Sequence, residues 1–209
     1  MSQQLNRGRP IDQEKKTQQK AKLIAAAKDL LEIKSYRSIT IRELAEQADV
    51  NSAMISYYFK NKEGLFIALV DSMANQLFSN FQKISSSEYP VHSFIEMMTK
   101  TLSHNKGFAR LIHDEILLND NEFKNIFIER LPKKMAVLLP ELLLKNTAIT
   151  DKKRAKFAAF SLMMMIITPF IHEPVRKQAW GINDKDIQSP LWIEHIHSLF
   201  MYGCSKEIS

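Results

Sequence analysis

Two short helical patterns joined by a turn constrain the fold of this 209-residue chain more than any other feature. The first pattern opens with Thr40, and Glu43 follows three residues later, which is the pattern of a capping box at a helix start. Residues 48–50 form a short turn, after which either Asn51 or Ser52 caps a second helix. With a supporting helix before them, these elements have the geometry of a helix-turn-helix.

Helical periodicity extends over nearly the whole chain, and no alternation of apolar and polar residues indicates a β-strand. The sequence therefore predicts an all-α fold, with an N-terminal three-helix helix-turn-helix domain and a larger C-terminal helical domain. The predicted parts are a flexible basic arm at 1–12, the helix-turn-helix domain at 13–62, a connecting helix at 63–84 and the second domain at 85–209.

Positive charge is concentrated in the first third of the chain. Residues 1–62 carry 12 Lys and Arg against 7 Asp and Glu, whereas the remaining residues carry 17 against 16. A local basic excess favours polyanionic partners, because neutralising phosphates releases condensed counterions. A solvated terminal helix has the same charge, so charge alone leaves both interpretations open.

Composition argues against several other classes of protein. Cys204 is the single cysteine, which excludes an intrachain disulfide or a cysteine zinc cluster. The six histidines are scattered and no glycine-rich phosphate loop is present, so we expect no cofactor, no metal and no enzyme activity. The polar start of the chain lacks a signal peptide, and the apolar stretch at 162–171 is interrupted by Thr168 and Pro169. We therefore expect a cytoplasmic protein without a membrane partner.

The second helix of the motif carries the residues that would enter the major groove of duplex DNA. Residues expected on its outer face or edges are Asn51, Ser52, Ala53, Ser56, Tyr57 and Tyr58. Ala53 or Met54 could contact a thymine methyl, and Asn51 or Ser52 could hydrogen-bond base edges. An ordinary helical hairpin has the same spacing, and this alternative stays open.

Phosphate contacts are expected from a second group of side chains at the end of this helix and just beyond it. They are Tyr57, Tyr58, Lys60 and Lys62. Hydroxyl and ammonium donors in such positions fix the orientation of a protein on the duplex without reading its sequence.

The segments 40–50 and 55–65 resemble the helix-turn-helix of the tetracycline-repressor (TetR) family, from the capping box through the Lys-Asn-Lys-Glu-Gly junction. The family usually has glycine where this chain has Asp49, and threonine and tyrosine where it has Met54 and Ser56. Asp tolerates a left-handed backbone, so we expect the turn to be preserved. The departures concern the operator sequence rather than the mode of binding.

The resemblance implies further roles in DNA binding and in repression of transcription. It implies phosphate contacts for Thr40, Tyr58 and Lys62, and groove-facing positions for Arg42, Ser52, Ala53 and Tyr57. The basic arm with Arg7 and Arg9 is similar to arms that reach the minor groove in part of the family. A solvated tail is the alternative for this arm.

The resemblance also implies a regulatory domain with a cavity for a small apolar or amphipathic effector. The candidate lining residues are Phe94, Met98, Phe108, Ile112, Glu115, Phe127, Met163, Ile167 and Trp180. Methionine adapts to varied ligand shapes, although apolar residues at helical spacing are also typical of an ordinary core. A DNA-binding protein without an effector, or an all-helical enzyme, are the alternatives, and an interior cavity discriminates the first of them.

The two terminal helices of each subunit pair as a four-helix bundle in this family, and the chain is similar there. The candidate dimerisation residues are Phe157, Phe160, Met164, Trp192, Ile196, Leu199 and Phe200. A two-fold homodimer would present two recognition helices to successive turns of one face of the duplex.

Overall fold

The computed structural model describes residues 9–117 and 122–205, with side chains described at 13–114, 122–202. Within these ranges the chain is helical and contains no strand. The helices are α1 (Arg9–Ile33), α2 (Ile41–Ala48), α3 (Ala53–Phe59), α4 (Lys62–Ile84), α5 (Pro90–Ser103), α6 (Lys106–Leu111), α7 (Glu122–Arg130), α8 (Pro132–Asn146), α9 (Lys152–Ile171), α10 (Glu173–Trp180), α11 (Asp184–Ile187) and α12 (Pro190–Ser205). A 3-10 turn at Tyr36–Ser38 precedes α2, and a π-helix at Ile112–Leu117 continues α6.

The chain divides into two compact units, Met1–Asp71 and Ser72–Ser209, and the division falls inside α4. The sequence predicted a boundary at residue 85, after the connecting helix. The second half of α4 belongs to the second unit because Phe81 is buried in its core and Leu77 and Phe78 pack against that core. The connecting helix itself is found as predicted, one residue longer at its start.

The first unit is a three-helix arrangement extended by the beginning of α4. Its core contains Leu23 of α1, Leu44 of α2, Ile55 of α3 and Phe66 of α4, each completely buried. The helix α1 begins at Arg9, four residues before the predicted start. Proline in the first turn suits a helix start, because the missing N–H has no intrahelical partner there. The remainder of the predicted arm, at 1–8, lies outside the described residues.

The turn between α2 and α3 is closed by a residue in the left-handed conformation. Asp49 has φ 52° and ψ 52° and ends α2, donating its backbone N–H to Ala45 and Glu46. This geometry agrees with the prediction that the turn is preserved without glycine. Asp pays less than most residues for this conformation because its short side chain tolerates it.

The second unit buries one apolar core between α5, α8, α9 and α12. Phe94 and Ile95 of α5, Leu143 of α8 and Leu162 of α9 are completely buried in it. Pro132 opens α8 and separates it from α7, which ends at Arg130. Proline fits the first turn of a helix and ends the preceding one.

A charged cluster that the sequence did not reveal joins α6, α10 and α11. The Arg176 side chain is 7% exposed and donates to Asp184 Oδ1 at 2.7 Å and to the Ile182 carbonyl oxygen at 2.6 Å. Asp184 Oδ2 accepts from Lys106 at 2.7 Å and from Lys177 at 2.9 Å. The Lys106 and Lys177 ammonium groups and the Arg176 guanidinium hold the pKa of Asp184 well below its usual range, against the effect of burial.

By length and composition alone, the helix α9 is long and apolar enough to cross a membrane, and 28% of its most apolar part is buried. Thr168 and Pro169 interrupt the apolar stretch at 162–171 in the sequence, but one helix runs through both residues and extends back to Lys152. Here Ala155, Leu162 and Ile166 lie in the core, and the opposite side of the helix is exposed.

Candidate DNA-binding surface and ligand cavity

The helix α3 has one buried side and one exposed side, as the recognition helix of a helix-turn-helix requires. Ile55 is completely buried, whereas Ala53, Ser56 and Tyr57 are exposed, Tyr57 to 65%. Ser52, just before the helix, is also exposed, and Met54 is half-buried. The predicted exposure of the groove-facing residues is therefore found, while their contacts with particular bases stay predictions.

Asn51 caps α3, which resolves the choice between Asn51 and Ser52. Asn51 Oδ1 accepts from the Ala53 backbone N–H at 2.8 Å, and its carbonyl oxygen accepts from the Met54 N–H at 2.9 Å. The Ser52 side chain makes no capping hydrogen bond. The amide oxygen of Asn51 is thus engaged within the protein, so its amide N–H₂ is the group available to a base or phosphate acceptor.

Tyr58 lies against α1 rather than on the open side of α3. Its hydroxyl donates to Gln19 Oε1 at 2.6 Å, and the Lys20 ammonium lies 5.6 Å from the centroid of its ring. A phosphate oxygen accepts hydrogen bonds and does not donate them. Tyr58 can therefore contact a phosphate only if its hydroxyl gives up the bond to Gln19. The exposed neighbour Tyr57 can make a phosphate contact without breaking this bond.

Lys62 is tied to the segment between α1 and α2. Its Nζ donates to the carbonyl oxygens of Tyr36 and Ile39, both at 2.9 Å, and lies 4.3 Å from the Tyr36 ring centroid. The Tyr36 ring in turn packs edge-on against Phe66, with centroids 4.8 Å apart. The phosphate contact that the sequence predicted for Lys62 competes with these bonds, since the ammonium has three donors in all.

The predicted capping box at the start of α2 is confirmed. The Glu43 N–H donates to Thr40 Oγ1 at 3.2 Å, and Glu43 Oε2 accepts from the Thr40 N–H and hydroxyl, each at 2.9 Å. Lys34 forms an ion pair with Glu43 Oε1. The pKa of Glu43 is lowered from 4.5 to about 2. The hydrogen bond from Lys34 has the largest effect, followed by those from the Thr40 N–H and the Thr40 hydroxyl. Because the Thr40 hydroxyl donates to Glu43, its predicted phosphate contact requires that bond to be given up.

Arg42 and Lys60, the other two cations of the predicted DNA-binding site whose side chains are described, are exposed. Arg42 Nε donates to Glu46 Oε1 at 2.7 Å one turn along α2, and this bond raises the pKa of the Arg42 guanidinium. Lys60 follows α3 with φ 71° and is exposed. The side chain of Arg9 and the whole of Arg7 lie outside the described residues, so the predicted arm contacts stay predictions.

Gly64 sets the close approach of α3 and α4. A Cβ at this position would lie 2.0 Å from the Phe59 carbonyl oxygen, well inside any tolerable contact. The Gly64 N–H donates to Asn61 Oδ1 at 2.8 Å, which caps the start of α4. The glycine in the Lys-Asn-Lys-Glu-Gly junction therefore has a steric reason that the sequence alone did not give.

The second unit encloses an apolar cavity of about 510 Å³. Six of the nine predicted ligand residues line it: Met98, Phe108, Ile112, Phe127, Met163 and Ile167. The cavity lies among the second half of α4 and helices α5 to α9, and Val137, Lys156 and Phe160 are exposed members of its wall. These exposed residues mark where the cavity reaches solvent, between α8 and α9.

Two predicted ligand residues lie elsewhere, and one is not described. Phe94 is completely buried in the core, on the side of α5 that packs against Phe81 at 5.9 Å between ring centroids. Trp180 is 75% exposed at the end of α10 and takes no part in the cavity wall. The prediction was wrong for these two residues, because periodicity shows which side of a helix is apolar but not where the core leaves space. The Glu115 side chain lies outside the described residues.

Several wall residues were missed by the sequence analysis. They include Met73, Leu77, Thr101, Asn105, Leu131, Met135, Pro140 and Lys156. Met73 and Leu77 lie on α4, which the sequence treated as a connection only. Asn105 lies between two helical segments, where a polar residue is ordinarily a cap, so its sequence context gave no signal of a cavity.

An exposed apolar face on α9 and α12 contains most of the predicted dimerisation residues. Phe157 is 62%, Phe160 66%, Met164 38% and Leu199 56% exposed. Phe160, Met164 and Leu199 line a shallow groove between the two helices, with the half-buried Trp192 beside them.

Two of the predicted dimerisation residues are instead part of the protomer core. Ile196 is 5% and Phe200 6% exposed, one turn apart on the inner side of α12. Their apolar character is therefore explained within the protomer, although Ile196 also touches the floor of the groove.

Within the described part of the chain, no group of three His, Cys, Asp or Glu side chains could hold a metal ion.

Comparison with known proteins identifies the class of the chain. Residues 23–69 match the family model for bacterial regulatory proteins of the TetR family. The chain is 26% identical over 191 residues to an uncharacterised helix-turn-helix transcriptional regulator, YvkB, of Bacillus subtilis, covering 89% of this chain and 97% of the relative. It is 23% identical over 156 residues to the nucleoid occlusion factor SlmA of Alteromonas mediterranea, covering 73% and 80% respectively.

Solved structures share the fold over most of the chain. The regulator FadR of Bacillus subtilis, in complex with stearoyl-CoA, superposes with a TM-score of 0.72 at 19% identity, covering 88% of this chain and 98% of that one. The fatty acid degradation regulator FadR of Bacillus halodurans has the same TM-score at 18% identity, covering 90% and 97%. The chain is a helix-turn-helix transcriptional regulator. Its first unit contains the helix-turn-helix of the TetR family of bacterial regulatory proteins, which residues 23–69 match.

Proposed function

We propose that this regulator is a dimeric repressor released from its operator by a small apolar or amphipathic ligand. The observation that carries the proposal is the apolar cavity of about 510 Å³ in the second unit of a chain whose first unit is a TetR helix-turn-helix. A cavity of this size is typical of small-molecule sites and is not expected in a regulator with a solid core. The FadR structure with stearoyl-CoA supports a ligand with a long apolar part.

Each protomer would insert α3 into the major groove of duplex DNA. The exposed residues Ser52, Ala53, Ser56 and Tyr57 are small or hydrogen-bonding, which suits close approach to base edges. Lys60 is exposed at the end of α3 and would contact a phosphate. Such a protein acts on DNA in the cytoplasm, and no catalytic role is proposed for it.

The dimer would form through the exposed apolar face of α9 and α12. Exposed large apolar side chains at Phe157, Phe160 and Leu199 are costly in water and are typical of a surface that another subunit covers. A two-fold axis through this face makes the contact self-complementary and places two recognition helices on one operator. Half-sites would then be separated by about one helical turn or more, roughly 34–36 Å or above.

Two side chains belong to both the cavity and the dimer groove. Phe160 and Met164 line the cavity on one side and the α9–α12 groove on the other. A ligand that repacks these side chains changes the shape of the groove, and so favours one arrangement of the dimer over another. Met73 and Leu77 offer a second route, because they lie in the wall on the helix α4 that begins in the first unit.

Selection of bound sites from random duplexes tests the DNA-binding part of the proposal and gives half-site sequence and spacing together. The recovered duplex is then titrated with protein in the presence of saturated amphiphiles of eight to eighteen carbons, as acids, alcohols and coenzyme A thioesters. We expect a palindromic site and release of DNA by at least one probe. Ligands that raise the melting temperature but never change DNA affinity would contradict the inducer role, and recovery of no site would contradict operator binding.

A further inference from the structure

The wall of the cavity contains one buried amide that is only half satisfied. The Asn105 side chain is 8% exposed, and its Nδ2 donates to the Thr101 carbonyl oxygen at 2.6 Å. This bond fixes the orientation of the amide, because a carbonyl oxygen can only accept. Asn105 Oδ1 is buried and has no hydrogen-bond partner in the described part of the chain.

Asn105 does not serve as a cap, which is the usual role of asparagine before a helix. In a capped helix the side-chain oxygen accepts from a backbone N–H of the first turn. Here the Phe108 and Ala109 N–H groups both donate to the Asn105 backbone oxygen at 3.1 Å, and the side chain makes no capping bond. The oxygen is therefore left over from local structure, and leaving a buried acceptor unpaired costs free energy.

The other polar groups in the wall differ from this oxygen. The Thr101 hydroxyl donates to the Met97 carbonyl oxygen at 2.8 Å, so its hydrogen is already used. Lys156 is exposed, where the cavity reaches solvent. Asn105 Oδ1 is thus the buried polar side-chain atom of the described wall that lacks a partner.

We propose that Asn105 is the hydrogen-bond anchor of the ligand and accepts from a donor group on an otherwise apolar molecule. The inference rests on the proposed ligand-binding function and specifies its chemistry. A hydroxyl, an amide N–H or an amine supplies the missing donor to Oδ1. A carboxylate or an ether oxygen at the same place brings a second acceptor against Oδ1 and is disfavoured.

The surroundings allow the contact to form on binding. Asn105 Oδ1 is shielded from solvent, so a ligand donor reaches it through small movements of neighbouring side chains. Met98, Met135 and Met163 are in the wall, and unbranched methionine side chains rearrange at low cost. The anchor then orients the ligand, while the apolar wall supplies the area that it buries.

Two isomeric probes test the anchor on the full-length protein. The alcohol 1-decanol and the ether 1-methoxynonane have the same atoms and similar apolar length, but only the alcohol is a donor. We expect calorimetry to show that wild type binds the alcohol about tenfold more tightly, the value of one hydrogen bond of ordinary strength. Equal affinity for the two isomers overturns the anchor and leaves the ligand cavity in place. Binding of neither isomer overturns the cavity as a ligand site, and with it the proposed function.

Variants assign the preference to this residue. Asn105→Leu keeps the branched shape of the side chain and removes the acceptor, so we expect the alcohol preference to fall to within about twofold. Asn105→Ala also removes the acceptor and adds no volume, so the same loss of preference is expected from it, which keeps the test decisive if the leucine variant does not fold. The control Trp180→Leu changes an exposed apolar residue that takes no part in the cavity wall, and it leaves the preference unchanged. A preference that survives in a folded Asn105→Leu protein overturns the assignment to Asn105.

Discussion

The ammonium group of Lys62 donates to the carbonyl oxygen of Tyr36 at 2.9 Å and lies 4.3 Å from the centroid of the same residue's ring. It donates equally to the Ile39 carbonyl oxygen. The first residue of α4 therefore holds the segment that leads into α2. Lys62 thus has a structural role in the first unit that is separate from the phosphate contact predicted from the sequence.

Replacing Lys62 tests the two roles separately. Lys62→Met keeps most of the apolar side chain and removes the ammonium, so we expect a loss of about 1.5–3 kcal/mol in the free energy of unfolding. Urea unfolding measures this loss. Lys60→Met is the matched control: its side chain is exposed, so we expect unchanged stability and a decrease of about one in the salt dependence of DNA binding. If Lys62→Met instead keeps the stability and lowers the salt dependence of DNA binding, Lys62 contacts a phosphate as the sequence predicts.

Gly64→Ala is expected to destabilise the first unit. In an exposed helix position glycine to alanine ordinarily stabilises by roughly 0.5–1 kcal/mol. At Gly64 the new Cβ would lie 2.0 Å from the Phe59 carbonyl oxygen, and a backbone atom cannot move aside without shifting α3. We expect a loss of about 1–3 kcal/mol. Denaturant unfolding gives the sign directly, and a stabilised variant would show that α3 and α4 are not packed in this way.

Substitutions at Asp49 test the left-handed conformation of the turn between α2 and α3. Its φ of 52° is unfavourable for residues with a Cβ, less so for Asp, and least for Gly. We expect Asp49→Gly to match or exceed wild type in thermal stability and Asp49→Ala to lose about 1 kcal/mol. If alanine is tolerated as well as glycine, the turn does not adopt the left-handed conformation.

The capping box gives a pH dependence. The pKa of Glu43 is about 2 in the folded protein against 4.5 ordinarily, so the unfolded chain binds a proton more readily. The stabilisation by Glu43 is therefore complete above about pH 4.5 and is lost as the pH falls towards 2. Glu43→Gln should lower the melting temperature at pH 7 and differ little from wild type near pH 2. A difference that is independent of pH would mean that the charge of Glu43 is not what stabilises α2.

Substitutions at Leu199 and Leu191 test which side of α12 forms the dimer face. Leu199 is 56% exposed and lines the groove, whereas Leu191 is 80% exposed outside it. Leu199→Glu should give a folded monomer with weakened operator binding, because a charge in an apolar contact is costly. Leu191→Glu should leave the dimer intact. Analytical ultracentrifugation measures both, and a Leu199→Glu dimer would place the interface elsewhere.

Local patterns in the sequence predicted what depends on neighbours along the chain. Thr40 and Glu43 are three residues apart, so the capping box could be predicted from spacing alone and was found. The bonds of Lys62 join it to Ile39 and Tyr36, which precede it by 23 and 26 positions, and no periodicity reveals such contacts. The capping box, the turn and the helix amphipathicity therefore locate the recognition helix without showing which contacts support it.

The cavity was predicted less completely, for a related reason. Met98 and Phe94 are one turn apart on α5 and both are buried, yet only Met98 lines the cavity. A sequence shows that a residue faces inward, but whether it meets a neighbour or a void depends on the summed volumes of all helices around it. The same argument explains why the sequence predicts Ile196 and Phe200 at the subunit interface, although both lie in the protomer core.

Phe160 and Met164 form a partition with a ligand site on one side and the subunit contact surface on the other. Under the proposed function, a substitution that enlarges the cavity for a different ligand also reshapes the surface that a partner must match. Selection for a new ligand and selection for faithful subunit pairing therefore act on the same two codons. Paralogues that diverge here in the compounds they sense would, by the same change, stop forming mixed dimers with one another.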